Sequence, residues 1–448
     1  MAFLTLEDPN AKIKGSRDPL GTMTLWLAFA RHIISNITTV TTSVRAFTTL
    51  LLGRYFAARL IEDGSIHTED AVHVVLRMEQ AAAYARHAGH GVDDDIRGIE
   101  RVKRFLEEGR GRVAIQTDRR GFILSDQRTY GIWGLYTLSS RRSGLIPEGM
   151  AGVTPLARRF LEENYISRLG GSIKPIMRLL SRGGTLDTRR KDPVYEALVR
   201  ILPPDFTAAE AAFYGRYIRD GYPADGDEAT GLPEVGVPGD GLIRPAQPAL
   251  PRQARLRQLL ESHTNLAKRT TREEVTALAE AARAVDEGLA RHLERILHLE
   301  SFLAPAEALF DFTLTRHGQT PREVAAAVRE RWGGPVPNLD PHAFQDLLSE
   351  IAKTSSPEIA PLLHRGHAAM RTGDYTTAVR TVIDWNTRVQ ERRKGAPWIV
   401  FDPAGRLDVR YRDLEQPMPA GDDLPTLWRN NYLIDSLKAL TLQLRSAR

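Results

Sequence analysis

Helix-start signals recur along this chain more often than any other local pattern, and they decide the fold class. In Thr320-Pro321-Arg322-Glu323 a hydroxyl sits at the N-cap, proline takes the first helical position, where no N–H is needed, and Glu stands three residues on. Thr207 with Glu210 and Thr271 with Glu274 repeat that spacing. Thr154-Pro155, Asp192-Pro193, Asp340-Pro341 and Ser356-Pro357 are further cap-plus-proline starts. Apolar residues then return at intervals of three and four: Val275, Leu278, Ala279, Ala282 and Val285, then Leu289, Leu293, Ile296 and Leu297. This predicts one long helix, or two, over residues 272–303. The stripe at 33, 37, 40, 44, 47 and 51 predicts another helix within 31–56, in spite of its threonines. Helices are also expected over 376–393 and from about 427 to the end. Period-two alternation is rare. Its clearest instance, 398–401 and 407–411 around Asp402-Pro403-Ala404-Gly405, predicts one β-hairpin. The expected class is mainly α, a multi-domain helical protein.

A single core rarely grows past about 300 residues, so 448 residues imply more than one. The sharpest break is 221–251, with six glycines and six prolines among its 31 residues and few large apolar side chains. Such a stretch cannot bury enough surface to offset the entropy of ordering it, so it reads as a linker or loop. The expected organisation is an N-terminal helical region over 1–64, a basic module over 65–166, a helical extension over 167–220, the linker, and a C-terminal helical domain over 252–448 bearing the hairpin.

Charge is uneven. Residues 101–200 carry 20 Lys or Arg against 10 Asp or Glu, whereas residues 1–100 carry 10 against 12 and residues 201–448 carry 31 against 34. A local excess of this size is what a phosphate-facing surface requires. The chain has no cysteine, which excludes disulfides, thiolate zinc sites, iron–sulfur clusters and a cysteine nucleophile. Residues 1–10 lack a basic segment followed by an apolar block, so no signal peptide is expected. Residues 23–56 are interrupted by Arg31, His32, Asn36, Arg45 and Arg54, so no membrane span is expected there, and a cytoplasmic location is.

With Ser143-Gly144-Leu145-Ile146 followed by Val153-Thr154-Pro155-Leu156-Ala157-Arg158, and in the order of its elements, the stretch 65–166 resembles a winged helix-turn-helix module of bacterial proteins. A helix is expected over 68–87, with Ala71, Val75, Met78, Ala82 and Ala85 at helical spacing, and a shorter one over 99–106 ending at Gly109. Residues 129–140 would be the recognition helix, with Gly131 and Gly134 inside it. Leu145-Ile146 and Gly152-Val153 would be the wing strands, and Thr154-Pro155-Leu156-Ala157-Arg158 would start the next helix. In many such modules Ser143-Gly144-Leu145-Ile146 and Val153-Thr154-Pro155 have close counterparts at the wing. The resemblance implies contact with double-stranded DNA. Arg128, Thr129 and Tyr130 would stand at the start of the recognition helix, where base contact is usual, and Arg141 and Arg142 at its end. Arg119 and Arg120 precede it, Lys103 and Arg104 lie on the preceding helix, and Arg158 on the following one.

Catalytic patterns are few. Phosphate-binding loops, dinucleotide fingerprints, the nucleophile elbow and the His-Glu-x-x-His zinc motif are absent from the sequence. His87 and His90 before Asp93-Asp94-Asp95 are a weak candidate cation site, as are His364 and His367. Arg291 and His298 have the spacing of the Arg-to-His motif of helical ribonucleases. Arg316-His317-Gly318 lacks the N-terminal strand a histidine phosphatase needs. No catalytic residue, metal or cofactor is expected. The layout is similar to accessory components of bacterial multi-gene systems, including genome-defence (antiviral) and chromosome-maintenance complexes. The expected role is therefore a non-enzymatic DNA-binding subunit with protein partners in a larger complex, and a homodimer is compatible with it. The alternatives are a scaffold that docks a protein through the same module and a helical nuclease.

Overall fold

The computed structural model describes residues 18–149, 151–189, 192–223, 250–354, 357–411 and 417–445. Most of the stretch expected to be a linker, and the Ser356 cap, lie outside these residues. The described chain is mainly helical, with two short antiparallel strand pairs. It forms two compact units, and both are discontinuous in sequence. Among the described residues, one is drawn from 18–33, 262–264 and 269–432, the other from 34–261, 265–268 and 433–445. No described helix is long and apolar enough to cross a membrane.

In the unit centred on residues 34–261, helices Val44–Glu62 and Ala71–His90 form the core. Their backbones come close at Gly53, where a Cβ would lie 3.2 Å from the Val75 Cα. The expected helix within 31–56 begins only at Val44. Ser43 caps it, accepting the Ala46 N–H at 3.2 Å. Upstream, the Thr41 hydroxyl accepts the Thr38 N–H at 2.8 Å and donates to the Thr38 carbonyl at 3.0 Å. Local side-chain bonds of this kind compete with helix in a β-branched run. The Gln443 side chain, from helix Tyr432–Arg445 of the same unit, accepts the Val44 N–H at 2.9 Å.

A buried ion pair ties this core together. Arg45 meets the carboxylate of Glu210 and donates to the carbonyls of Pro203, at 2.8 Å, and Asp205. Its guanidinium lies over the Phe206 ring, and the Tyr165 hydroxyl donates to Glu210. Strands Arg112–Ile115 and Gly184–Asp187 pair antiparallel, Arg112 opposite Asp187, so residues 112–115 are joined to a segment beyond 166.

In the other unit, Glu287–Leu314 is the longest helix, and Arg272–Arg283 precedes it as a separate helix. Its own Phe302 and Phe310 are buried, as are Trp26, Trp385 and Trp398. Glu300 accepts the backbone N–H groups of Arg429 and Asn430 at 2.8 and 2.9 Å and the Asn430 side-chain amide at 3.1 Å. Arg429 also pairs with Asp311 at 2.6 Å. The capping boxes at Thr271 and Thr320 form here, as the one at Thr207 does in the first unit. The expected hairpin is present, with Ile399–Phe401 paired to Leu407–Val409.

Candidate nucleic-acid interface

Arg158 aside, the basic residues picked out by sequence lie on elements joined to helix Ala71–His90. Helix Ile99–Glu108 ends at Gly109, as expected. The Gln80 side chain then joins two stretches of the chain. Its amide donates to the Gln116 carbonyl at 2.8 Å and to the Gln127 side-chain oxygen at 3.0 Å, and its own oxygen accepts the Gln116 N–H at 3.0 Å. This brings the bend carrying Arg119 and Arg120 beside the turn carrying Arg128, Thr129 and Tyr130.

The expected single helix over 129–140 is two helices, Gln127–Tyr130 and Ile132–Arg142. The break is at Gly131, whose extended backbone (φ −86°, ψ −172°) ends one and starts the other. A Cβ there would lie 2.3 Å from the Gln127 carbonyl oxygen and 2.5 Å from a Glu79 carboxylate oxygen. At Gly134 it would lie 2.1 Å from the Thr129 carbonyl oxygen. Glycine is therefore needed at both positions for the two pieces to fold against each other. Asp126 caps the first piece, accepting the Thr129 N–H at 3.0 Å. Glu79 caps the second, accepting the Ile132 N–H at 2.8 Å and the Gln127 amide at 2.8 Å. Burial pushes the Glu79 carboxyl up to about 7, against the opposing pull of these bonds.

The expected wing does not form among the described residues. Leu145 and Ile146 are buried in a turn, and one backbone bond, from Thr154 N–H to the Leu145 carbonyl at 3.1 Å, links the two segments. Gly144, Gly149 and Gly152 have φ of +67°, +73° and +111°, which bends the chain where a strand would have to run straight. The Thr154 hydroxyl donates to the Gly144 carbonyl at 2.9 Å, and helix Pro155–Asn164 starts at the expected place.

The ten candidate residues fall into two groups. Lys103 pairs with Asp93 at 2.5 Å, Arg104 with Glu108 at 3.8 Å and Arg158 with Glu62 at 2.7 Å. Arg119, Arg120, Arg128, Arg141 and Arg142 are exposed and make no ion pair with any described residue. Thr129 is exposed, and Tyr130 is 58% exposed. Beneath the Ile132–Arg142 helix lies Arg54, which sequence reasoning did not single out as part of this face. It is buried, 5.2 Å from the Trp133 ring, and donates to the Gly152 carbonyl at 2.9 Å. Burial, and then the nearby Arg141, lower its pKa to about 10.

The weaker candidates lie elsewhere. His87 contacts Asp93 at 2.7 Å and His90 the Val199 carbonyl at 2.9 Å, so the histidines face different partners. His367 is buried against Phe344, ring centroids 4.0 Å apart, and burial lowers its pKa to about 4. His317 accepts the Val409 N–H of the hairpin at 3.1 Å. Arg291 is exposed, and His298 lines an open cleft with Arg272, Glu294, Asn338 and Asp340. No group of His, Asp or Glu among the described residues is arranged to hold a metal ion. No protein-family model, curated protein or solved structure matches the chain.

Proposed function

We propose that this chain binds nucleic acid through its phosphates, using the exposed face built on residues 119–142, and that it does so as a non-enzymatic subunit of a larger assembly. The observation that carries the reading is the group of five exposed arginines that make no ion pair with any described residue. A carboxylate beside a cation offsets its field at a phosphate, whereas a cation without an ion-pair partner exchanges only water and counterions. The winged-helix resemblance adds only the order of three helices, Ala71–His90, Ile99–Glu108 and Ile132–Arg142, since the wing is absent among the described residues. A bacterial genome-defence or chromosome-maintenance complex is the setting that the overall layout suggests. The second reading, docking of a protein partner, draws on Leu138, which is 47% exposed on the same helix.

The test is binding to an oligonucleotide of about 30 nucleotides, single-stranded and duplex, at about 50 and about 200 mM salt. Binding that falls by orders of magnitude with salt and weakens in Arg141→Ala/Arg142→Ala supports the reading. Absence of binding to either form at the lower salt overturns it and leaves the protein-docking reading.

A further inference from the structure

Resting on that reading, we infer that the face selects unpaired nucleic acid over duplex, with Tyr130 as a stacking platform for a base. The argument begins with what the face lacks. A helix that reads duplex DNA in the major groove presents its N-terminal residues to the base edges. The N-terminus of helix Ile132–Arg142 is turned inward: Ile132 is 5% exposed, and its N–H is taken by the buried Glu79 carboxylate. The turn before it, Gln127–Tyr130, is a single one and is anchored by the buried Gln127 side chain, which donates to Glu79 and to the Leu76 carbonyl at 2.9 Å. Neither piece offers a long helix, free at its start, to lay in a groove.

What the face does offer is mixed. Five unpaired arginines would meet phosphates. Tyr130 stands next to Arg128 and Thr129 in an exposed turn, and the Gln80 bridge brings Arg119 and Arg120 to the same end. On the Ile132–Arg142 helix, Gly134, Leu138 and Arg141 or Arg142 follow at intervals of three and four, so bare backbone, an exposed apolar side chain and cations share one face. A duplex presents phosphates and groove edges to such a surface and keeps its base faces stacked inside. A single strand presents phosphates together with open base faces, which match an aromatic ring and an apolar side chain lying among cations.

The experiment compares the about 30-nucleotide single strand with its duplex in equilibrium binding at about 50 mM salt, for wild type, Tyr130→Ala, Tyr130→Phe and Arg141→Ala/Arg142→Ala. The expected results are tighter binding of the single strand by wild type, a loss of about tenfold or more in Tyr130→Ala, and retention in Tyr130→Phe, which keeps the ring. Circular dichroism of each variant shows that the fold is kept. Duplex bound as tightly as single strand, or Tyr130→Ala binding like wild type while the arginine double variant fails, would overturn the stacking proposal and leave the phosphate-binding reading standing. If neither form binds wild type, both fall.

Discussion

The Ile132 N–H donates to the Glu79 carboxylate at 2.8 Å, so a helix is capped by a side chain from a different helix, fifty-three residues away in the chain. The same carboxylate holds the Gln127 amide, and so fixes both pieces of the broken segment to helix Ala71–His90. Glu79→Ala leaves two buried donors without acceptors, each worth about 1–3 kcal/mol. Urea unfolding should show a loss of about 3 kcal/mol or more, and Glu79→Gln, which keeps one acceptor oxygen, should lose less. Equal losses would show that the cap is not what the carboxylate supplies.

Gly131 and Gly134 should resist substitution for a steric reason. Both hypothetical Cβ atoms would collide with backbone oxygens, which cannot swing away as a side chain can. Gly131→Ala and Gly134→Ala should each lower stability by about 1–3 kcal/mol or more. Gly171→Ala is the control, because a Cβ there meets nothing within 4 Å. It should change the unfolding midpoint little.

The Arg45–Glu210 pair should behave as a coupled unit. Removing one member leaves the other buried and uncompensated, so Arg45→Met should lose about 3–5 kcal/mol. The double variant Arg45→Met/Glu210→Gln should lose less than the two single changes together. Arg45→Lys should also be destabilised, because an ammonium cannot reach Glu210 and the Pro203 and Asp205 carbonyls in the fork that the guanidinium uses. A double-variant cycle by chemical denaturation measures the coupling; simple additivity would contradict it.

Glu300 gives stability a pH dependence of definite sign. Burial, and then Glu307, push its carboxyl up to about 8 from the ordinary 4.5. The folded protein therefore holds this proton more tightly than the unfolded chain does. Its contribution is complete below about 4.5 and is lost as pH rises through about 8. Glu300→Gln removes the titration. Between about pH 5 and pH 8 wild type should lose stability relative to that variant by as much as a few kcal/mol. A difference that stays constant across this range would refute the assignment.

The paired and unpaired cations should separate in salt titrations. For single strands the slope of log affinity against log salt is about −0.7 per phosphate neutralised. Arg119→Ala, Arg120→Ala and Arg128→Ala should each make the slope shallower by an amount of that order. Lys103→Ala, Arg104→Ala and Arg158→Ala should leave it near the wild-type value, because those cations already hold Asp93, Glu108 and Glu62.

The parts of this fold legible in the sequence are those set by neighbours along the chain. The Thr207, Thr271 and Thr320 capping boxes and the Ile399–Phe401 hairpin depend on residues a few places apart. The strand pair Arg112–Ile115 with Gly184–Asp187 was not legible, because each strand has four residues and its partner lies about seventy places away. The stripe over 33–51 becomes helix only from Val44, and upstream of it the Thr41 hydroxyl bonds to the Thr38 backbone. At the candidate site, sequence located the basic residues. It did not reveal that a carboxylate occupies Arg158, nor that Gly131 marks a break, since Glu62 and Glu79 arrive from distant positions.

The placement of helix Tyr432–Arg445 bears on the order in which the protein can be made. Residues 433–445 belong to the unit that begins at position 34, and Gln443 completes the N-terminus of helix Val44–Glu62. The last part of that unit therefore leaves the ribosome more than 370 residues after its first helix, with nearly all of the other unit translated in between. Until then the Val44 N–H lacks the acceptor it has in the finished fold.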